Sequence, residues 1–507
     1  MLRNLDAARE RLQQGLPALV WQRRIADTLT PVGAALALFE PERGDFLLES
    51  VEGGEVRGRY SLLGIDPDLV LQAHGKQAAI NRHWRSDREA FEPAPGDGLA
   101  ALRTLLAEIA MPIPAELPPA LACLVGYFGY ETIGLVENLP AAQEDPLGLP
   151  DMVFVRPGLL LVIDALTDEA FLVAPVWPDT DADIDALLEG AQRRIAQALE
   201  ALDRPAPRRP APPSPQTTAS SLALNPIQDP QAYAQRVARA QEYIVAGDIF
   251  QVVLAQRFTI PFAQPPMDLY RALRRVNPSP FLYLLDLPQV GIVGSSPEIL
   301  VRLRPDSDGR QQVTVRPIAG TRPRGATPQA DRAAERELLA DPKERAEHLM
   351  LLDLGRNDAG RVSAPGSVEV TDSFMVERYS HVMHIVSNVT GTLAQGKDAL
   401  DALFAGFPAG TVSGAPKLRA CEIIAELEPE KRGPYAGGVG YFAPDGSFDS
   451  CITLRTGLVK DGTLHVTAGA GIVADSDPAS EQRECEAKAG ALLAAAREAL
   501  AQAGDPA

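Results

Sequence analysis

Apolar residues change period along this chain, and the changes mark its elements. Asp183 to Leu202 repeats Ile184, Leu187, Leu188, Ala191, Ile195 and Leu199 at helical spacing. Gln231 to Ala246 places Tyr233, Val237, Ile244 and Val245 on related faces, with Gly247 as a stop. Shorter helices are predicted around Ala333–Leu339, Pro342–Leu354 and Pro416–Leu427, and a last one from Pro478 behind an Asp477 cap. Gly158 to Leu172 reads as two strands around an Asp164 turn. Ile249 to Ile260 is apolar on both sides, which predicts a central strand. Near the end, Gly438–Phe442, Phe448–Leu458 and Thr463–Val473 are strand-like runs separated by Pro-Asp-Gly and Lys-Asp-Gly turns. Strand runs alternating with helix blocks predict an α+β fold with antiparallel sheets, not a regular parallel βαβ sheet.

Proline density sets the strongest boundary. Arg204 to Pro215 loses backbone donors and favours extended conformation. It divides the chain into a first region, 1–203, a linker, 204–224, and a second region, 225–507; a surface loop within one domain is the other reading. Composition then narrows the class. With 46% hydrophobic and 23% charged residues, the 507-residue chain can bury large cores. A net charge of −19 excludes a general nucleic-acid binder, which needs a basic surface. Cys123, Cys421, Cys451 and Cys485 form no Cys-x-x-Cys pair, so reduced thiols are expected. No signal peptide and no apolar run of bilayer length is read, so a soluble cytoplasmic protein with no membrane or nucleic-acid partner is expected.

Several residues could carry chemistry. Asp341 is a candidate N-cap, Pro342 takes the first helical position, and Glu344 falls where a capping box places a carboxylate. Glu347 is followed by Met350, Leu351 and Leu354 on the same helix, and a carboxylate in an apolar stripe needs a cation or donor. Glu481, Glu484 and Lys488 share another helix; Glu484 and Lys488 have surface ion-pair spacing, while carboxylates on two separate helices also suit Mg²⁺. Alternation along Phe448–Leu458 puts Cys451, Thr453 and Arg455 on one face, where Arg455 either faces solvent or forks onto a carboxylate. Gly469-Ala470-Gly471 permits close backbone approach to an anion, or simply forms a turn. His384 stands in an apolar run, as a core residue or a catalyst. Phe407 to Lys417 looks like a loop entering a helix.

Taken in order, Phe250-Gln251-Val252-Val253, Ser296-Pro297-Glu298, Arg316 to Gly325, Glu347 to Asp358, Val382-Met383-His384, Phe407 to Lys417, Tyr435 to Tyr441, Ile452-Thr453-Leu454-Arg455, Gly469 to Val473 and Glu484 to Lys488 resemble the chorismate-utilising enzyme family from about Asn225 to Ala499. Leu47-Leu48-Glu49-Ser50 and Gly58-Arg59-Tyr60-Ser61 extend the resemblance into the first region. It implies antiparallel β-sheets in a sandwich-like core flanked by helices. Members that add water at C2 carry a Lys where this chain has Gln251, and a neutral amide cannot serve as that base. Aminodeoxychorismate-forming members usually carry a nucleophilic Lys where this chain has Ala319. Gln251 and Ala319 together point to the anthranilate-forming branch, a lyase at the first committed step of tryptophan biosynthesis that converts chorismate and ammonia to anthranilate and pyruvate.

Roles follow from the resemblance. Glu347 and Glu484 would hold Mg²⁺, with Glu344 and Glu481 behind them. Arg455, Tyr435 and the backbone of Gly469, Ala470 and Gly471 would hold the enolpyruvyl carboxylate. Gly320, Thr321 and Thr411 would complete the substrate pocket. Glu298 would be the general acid, and His384 would assist pyruvate elimination. No glutamine-hydrolysing domain is read after the Glu484 helix, which implies ammonia from a separate amidotransferase subunit, in a heterotetramer. Ser50 with Pro280, Phe281 and Leu282 resembles a tryptophan feedback site, with Glu49 and Ser50 as acceptors for the ammonium and Leu47 or Leu48 as apolar wall; plain strand packing is the other reading. Three alternatives remain: an aminodeoxychorismate synthase, a synthase that stops at 2-amino-2-deoxyisochorismate, and an inactive tryptophan-binding homologue.

Overall fold

The computed structural model describes residues 3–52, 56–140, 144–179, 182–204, 222–379 and 382–503. The 204–224 connection falls, apart from its ends, outside them.

Alternating and fully apolar runs pair into two large antiparallel sheets. The first passes from Ala18–Ile25 through Glu169–Val176, Leu159–Asp164, Tyr60–Ile65, Asp45–Glu49, Phe281–Leu287, Val290–Ser296, Thr456–Lys460 and Thr463–Ile472 to Gln251–Pro261 and the short Asn225–Pro226. The second passes from Ile318–Pro323 through Val382–Thr392, Gln311–Val315, Ile299–Pro305, Phe448–Ile452, Gly438–Phe442, Leu124–Phe128, Met152–Arg156 and Leu69–His74 to Gln77–Asn81 and Glu92–Pro93, with Glu369–Arg378 also paired to Val382–Thr392. Residues before 204 and after 224 contribute to both sheets, and one apolar cluster joins them. The architecture is the sandwich-like α+β fold expected, with helices outside the sheets.

Two predicted elements differ in the structure. Gln251–Pro261 is not central: beyond it lie only the two-residue strands Asn225–Pro226 and Gly414–Ala415. It is apolar on both sides because the helices Pro230–Ala246, Lys417–Leu427 and Pro478–Ala503 pack on it. The Phe448–Leu458 run is also not one strand. Its first part, Phe448–Ile452, belongs to the second sheet and its last part, Thr456–Lys460, to the first. Both halves are buried, so the hydrophobic pattern runs on unbroken while the chain changes sheet between them.

A second crossing lies beside the first. Val290–Ser296 belongs to the first sheet and Ile299–Pro305 to the second, with only Pro297 and Glu298 between. The two crossing chains are antiparallel neighbours. Gly294 pairs with Thr456 in one sheet and Ile299 with Cys451 in the other. Between these, Ser295 N–H donates to the Arg455 carbonyl at 3.2 Å and Ile452 N–H to the Glu298 carbonyl at 3.1 Å. Glu298 and Arg455 thus stand at the corner where both chains pass from sheet to sheet.

Candidate active site

Arg455 occupies a left-handed conformation, with φ 48°, in the turn that breaks the strand, so strict alternation with Cys451 and Thr453 does not describe it. Non-glycine residues seldom sit there, and such strained positions cluster at functional sites. Desolvation depresses the guanidinium's pKa, and the nearby Tyr379 phenol raises it. It makes no ion pair among the described residues, so it is a half-buried cation with capacity for an anion.

Glu298 is 4% exposed. Thr411, in the short turn Gly410–Val412, donates its hydroxyl to Glu298 Oε1 at 2.9 Å. Burial pushes the Glu298 carboxyl up to about 8, against smaller lowering effects from Thr411 and the Ile318 N–H. A carboxylic acid that stays protonated at neutral pH is a proton donor by construction.

His384 lies on Val382–Thr392, and its Nδ1 is 2.8 Å from the Gly320 carbonyl and 3.2 Å from Thr321 Oγ1. A carbonyl only accepts, so Nδ1 carries the hydrogen and Nε2 keeps its lone pair in the neutral ring. Burial holds the imidazole below its usual range, opposed by the Gly320 hydrogen bond and reinforced by the Arg455 charge. The carbonyl is presented by a bulge between Ala319 and Arg322, where Gly320 takes φ 67°, the left-handed region that glycine enters freely.

Tyr435 and the glycine strand form another wall. Tyr435 is buried, and the Gly469 N–H donates to its hydroxyl. A Cβ at Gly469 would come within 2.8 Å of that hydroxyl, and one at Gly471 within 2.4 Å of Gln251 Nε2. Gly469, Ala470 and Gly471 pair with Ala255, Leu254 and Val253, so small residues here admit the side chains that cross the strand. Gln251 in turn donates to Glu347.

Four carboxylates meet between two helices. Glu344 and Glu347 come from Pro342–Gly360, and Glu481 and Glu484 from Pro478–Ala503. Burial raises the Glu347 carboxyl most, the charges of Glu344 and Glu484 raise it further, and Gln251 and Lys488 oppose them. Burial and Glu484 likewise raise Glu481. Glu344 does not close a capping box: Asp341 caps the helix, and Arg322 Nη1 takes Glu344 Oε1 at 2.9 Å. The ion pair suggested by spacing does form, with Lys488 Nζ 2.7 Å from Glu484 Oε1, and the same ammonium donates to the Gly469 carbonyl at 2.8 Å. Among the described residues no three His, Cys, Asp or Glu side chains gather tightly enough to hold a metal unaided. Mutually repelling oxygen donors at Glu347 and Glu484 nonetheless fit a hard divalent cation that takes its remaining oxygens from substrate and water.

A buried ion pair fixes the loop that carries Thr411. Lys417 Nζ lies 2.9 Å from both oxygens of Asp358 and donates to the Gly406 carbonyl at 3.1 Å. Removing one partner of such a pair costs about 3–5 kcal/mol, because the other charge stays buried.

The residues expected at a feedback site lie elsewhere. Leu48, Ser50, Pro280, Phe281 and Leu282 line a cavity of about 570 Å³ between the sheets. Leu282 pairs with Glu49 across adjacent strands, which brings the two sequence strings together. Glu49 is not a free acceptor: Tyr270 donates to its carboxylate at 2.5 Å, and Arg274 forks onto both oxygens at 2.8 and 2.9 Å. Sequence reading missed the cavity's other lining, including Tyr379, Glu377 and Arg316. No local pattern marks them, since a Tyr and a Glu at a strand end are ordinary packing residues.

Comparison with known proteins gives one answer. Residues 44–494 match the family model described as chorismate binding enzyme. Anthranilate synthase component 1 of Cereibacter sphaeroides is 52% identical, over 96% of this chain and 95% of that protein. The Thermus thermophilus protein of the same name is 46% identical, over 95% of this chain and 97% of its own. The crystal structure of anthranilate synthase component I from Streptococcus pneumoniae, 36% identical, superposes with a TM-score of 0.72 over 86% of this chain and 92% of that one. The menaquinone-specific isochorismate synthase of Escherichia coli, at 19% identity and a TM-score of 0.68 over 97% of this chain and all of its own, shares the fold. The chain belongs to the chorismate binding enzyme family and, within it, to the anthranilate synthase component 1 enzymes.

Proposed function

We propose that this enzyme converts chorismate and ammonia to anthranilate and pyruvate with Mg²⁺. The observation that carries the reading is Glu298, a buried carboxyl held in its acid form at neutral pH at the same sheet corner as Arg455, which makes no ion pair among the described residues. Arg455 holds the enolpyruvyl carboxylate, with Tyr435 and the Gly469–Gly471 backbone. Glu347 and Glu484 would hold Mg²⁺, which would supply charge stabilisation at the ring carboxylate. Thr411 and Ile318 orient Glu298, whose proton passes to the departing C4 hydroxyl as ammonia adds at C2. His384 Nε2 faces the elimination step with its lone pair free, since Nδ1 is tied to Gly320. Taking the C2 proton as pyruvate leaves makes the ring aromatic.

Incubation with chorismate, ammonium and Mg²⁺ tests this. Fluorescent anthranilate with equimolar pyruvate is expected. An aminated ring that keeps the enolpyruvyl group, or no product, overturns it in favour of a 2-amino-2-deoxyisochorismate synthase or an inactive homologue. In the same assay His384→Ala should accumulate the aminated intermediate while pyruvate release slows by about 10²-fold or more, the scale of a lost general base. Failure to form either species would place His384 earlier in the reaction.

The name component 1 carried by the relatives supports a second component, read here as a glutamine amidotransferase that supplies ammonia within a heterotetramer. Four buried free thiols and the absence, among the described residues, of any helix long and apolar enough to cross a membrane support a cytoplasmic enzyme. Tryptophan is assigned to the 570 Å³ cavity. Leu48, Pro280 and Phe281 offer the indole an apolar wall, and Ser50 an acceptor for the ammonium. Ser50→Phe should fill the cavity, relieve inhibition and leave uninhibited turnover largely intact. Full tryptophan sensitivity of that variant, or no heat of tryptophan binding to the wild-type chain, would sink the assignment.

A further inference from the structure

The cavity and the reacting groups share a wall. Pro297 and Ile299 flank Glu298 in sequence, Ile318 donates its N–H to Glu298, and all three line the cavity. Tyr379 lines it too, and its ring meets the His384 ring edge-on, with centroids 5.4 Å apart. Glu298 is close enough to Tyr379 to raise its phenol further, and the same phenol acts on Arg455. Tyr379 is therefore the one aromatic ring among the cavity-lining residues that also packs on His384.

That ring is fixed at both ends. Its hydroxyl donates to Glu377 Oε2 at 2.9 Å, and Arg316 takes the other Glu377 oxygen. Arg324 Nη1 donates to the Tyr379 carbonyl at 2.6 Å, and the Tyr379 N–H donates to the Val382 carbonyl at 2.8 Å. Glu377 is the direct cross-strand partner of His384. Cross-strand neighbours on one sheet face interact directly, so the clamp adjoins the imidazole. Arg316 and Glu377 also line the cavity, which exposes the clamp to whatever fills it.

We propose that Tyr379, clamped by Glu377 and Arg316, is a positioning residue for His384 through which an occupant of the inter-sheet cavity acts on the reaction. The proposal rests on the assignment of tryptophan to that cavity. No long route is needed, because the same residue lines the cavity and packs on His384. An occupant that favours a displaced ring disfavours the chorismate-competent arrangement. Each ligand then weakens the other by the same factor.

Tyr379→Phe keeps the ring and removes the hydroxyl that anchors it; Glu377→Gln weakens the anchor from the other end. For the full chain and both variants, calorimetry gives tryptophan affinity with and without chorismate, and chromatography gives the ratio of aminated intermediate to anthranilate. Both variants should still bind tryptophan, because Leu48, Ser50, Pro280 and Phe281 are untouched. The factor by which the two ligands weaken each other should fall at least about fivefold, and the intermediate should build up. A merely structural tyrosine would lower the melting temperature and leave that factor alone. Undiminished coupling in Tyr379→Phe, or in Glu377→Gln should the first variant not fold, overturns the clamp even where the wild type binds tryptophan. No tryptophan binding to the wild type overturns the cavity assignment itself, and the clamp with it.

Discussion

Glu347→Gln should abolish anthranilate formation, and Glu484→Gln should do the same, with Mg²⁺ affinity as the quantity lost. Burial raises the Glu347 carboxyl most and the like charges of Glu344 and Glu484 raise it further, against smaller opposing effects from Gln251 and Lys488. Such a carboxylate is costly to keep ionised unless a cation arrives. Replacing it by an amide keeps the shape and removes the charge. A bound divalent ion supplies several kcal/mol of charge stabilisation, and a tenfold rate change corresponds to about 1.4 kcal/mol. The loss should therefore be on the order of 10³ or more in turnover at low Mg²⁺. Titration of Mg²⁺ by calorimetry, beside turnover at rising Mg²⁺, checks the cause. Near-normal activity of either variant at low Mg²⁺ would remove both residues from the metal assignment. Lys488 sharpens the comparison: its ammonium already pairs with Glu484 at 2.7 Å, so a cation must share that carboxylate with it or displace it.

Glu298→Gln should cost about 10²–10⁴ in kcat, the range of a lost general acid. The amide preserves the acceptor for Thr411 and removes the acid proton. The wild-type pH profile carries the sign. Burial raises the carboxyl to about 8, so the acid form predominates below that pH and its share falls as pH rises through it. Turnover should thus hold on the neutral side and decline through about 8, and the basic limb should vanish in Glu298→Gln. Thr411→Val tests the cause. Its hydroxyl stabilises the carboxylate form, so removing it should move the basic limb to higher pH. A limb that persists unchanged in Glu298→Gln would belong to another group.

The two crossing chains explain why Glu298 and Arg455 sit together. Glu298 occupies one crossing and Arg455 the other, joined by the Ser295-to-Arg455 and Ile452-to-Glu298 backbone bonds. Each side chain is thus set by backbone shared with the other, and both sheets hold the corner rigid. Rigid elements position reacting groups better than free loops do.

Much was legible in the sequence, for a local reason. Helix periodicity, the cap at Asp341 and the stop at Gly247 follow from contacts within a few residues. The ordered strings of residues carried the family, and with Gln251 and Ala319 the branch within it. Placement of Arg455 was not legible, since a strand that leaves one buried sheet for another keeps the same hydrophobic pattern and only its partners change. The central position read for Ile249–Ile260 failed similarly: burial by three helices and burial by flanking strands leave the same sequence trace. Glu49 looked like a free acceptor until the fold brought Arg274 and Tyr270 to it across more than 200 residues of sequence. The raised Glu298 carboxyl, the tautomer of His384 and the ring of Tyr379 beside both cavity and imidazole depend on desolvation and on partners distant in the chain. Sequence fixes which groups are available and their local conformation; only the packing of the two sheets decides which lose water, which gain partners and which are left to meet a ligand.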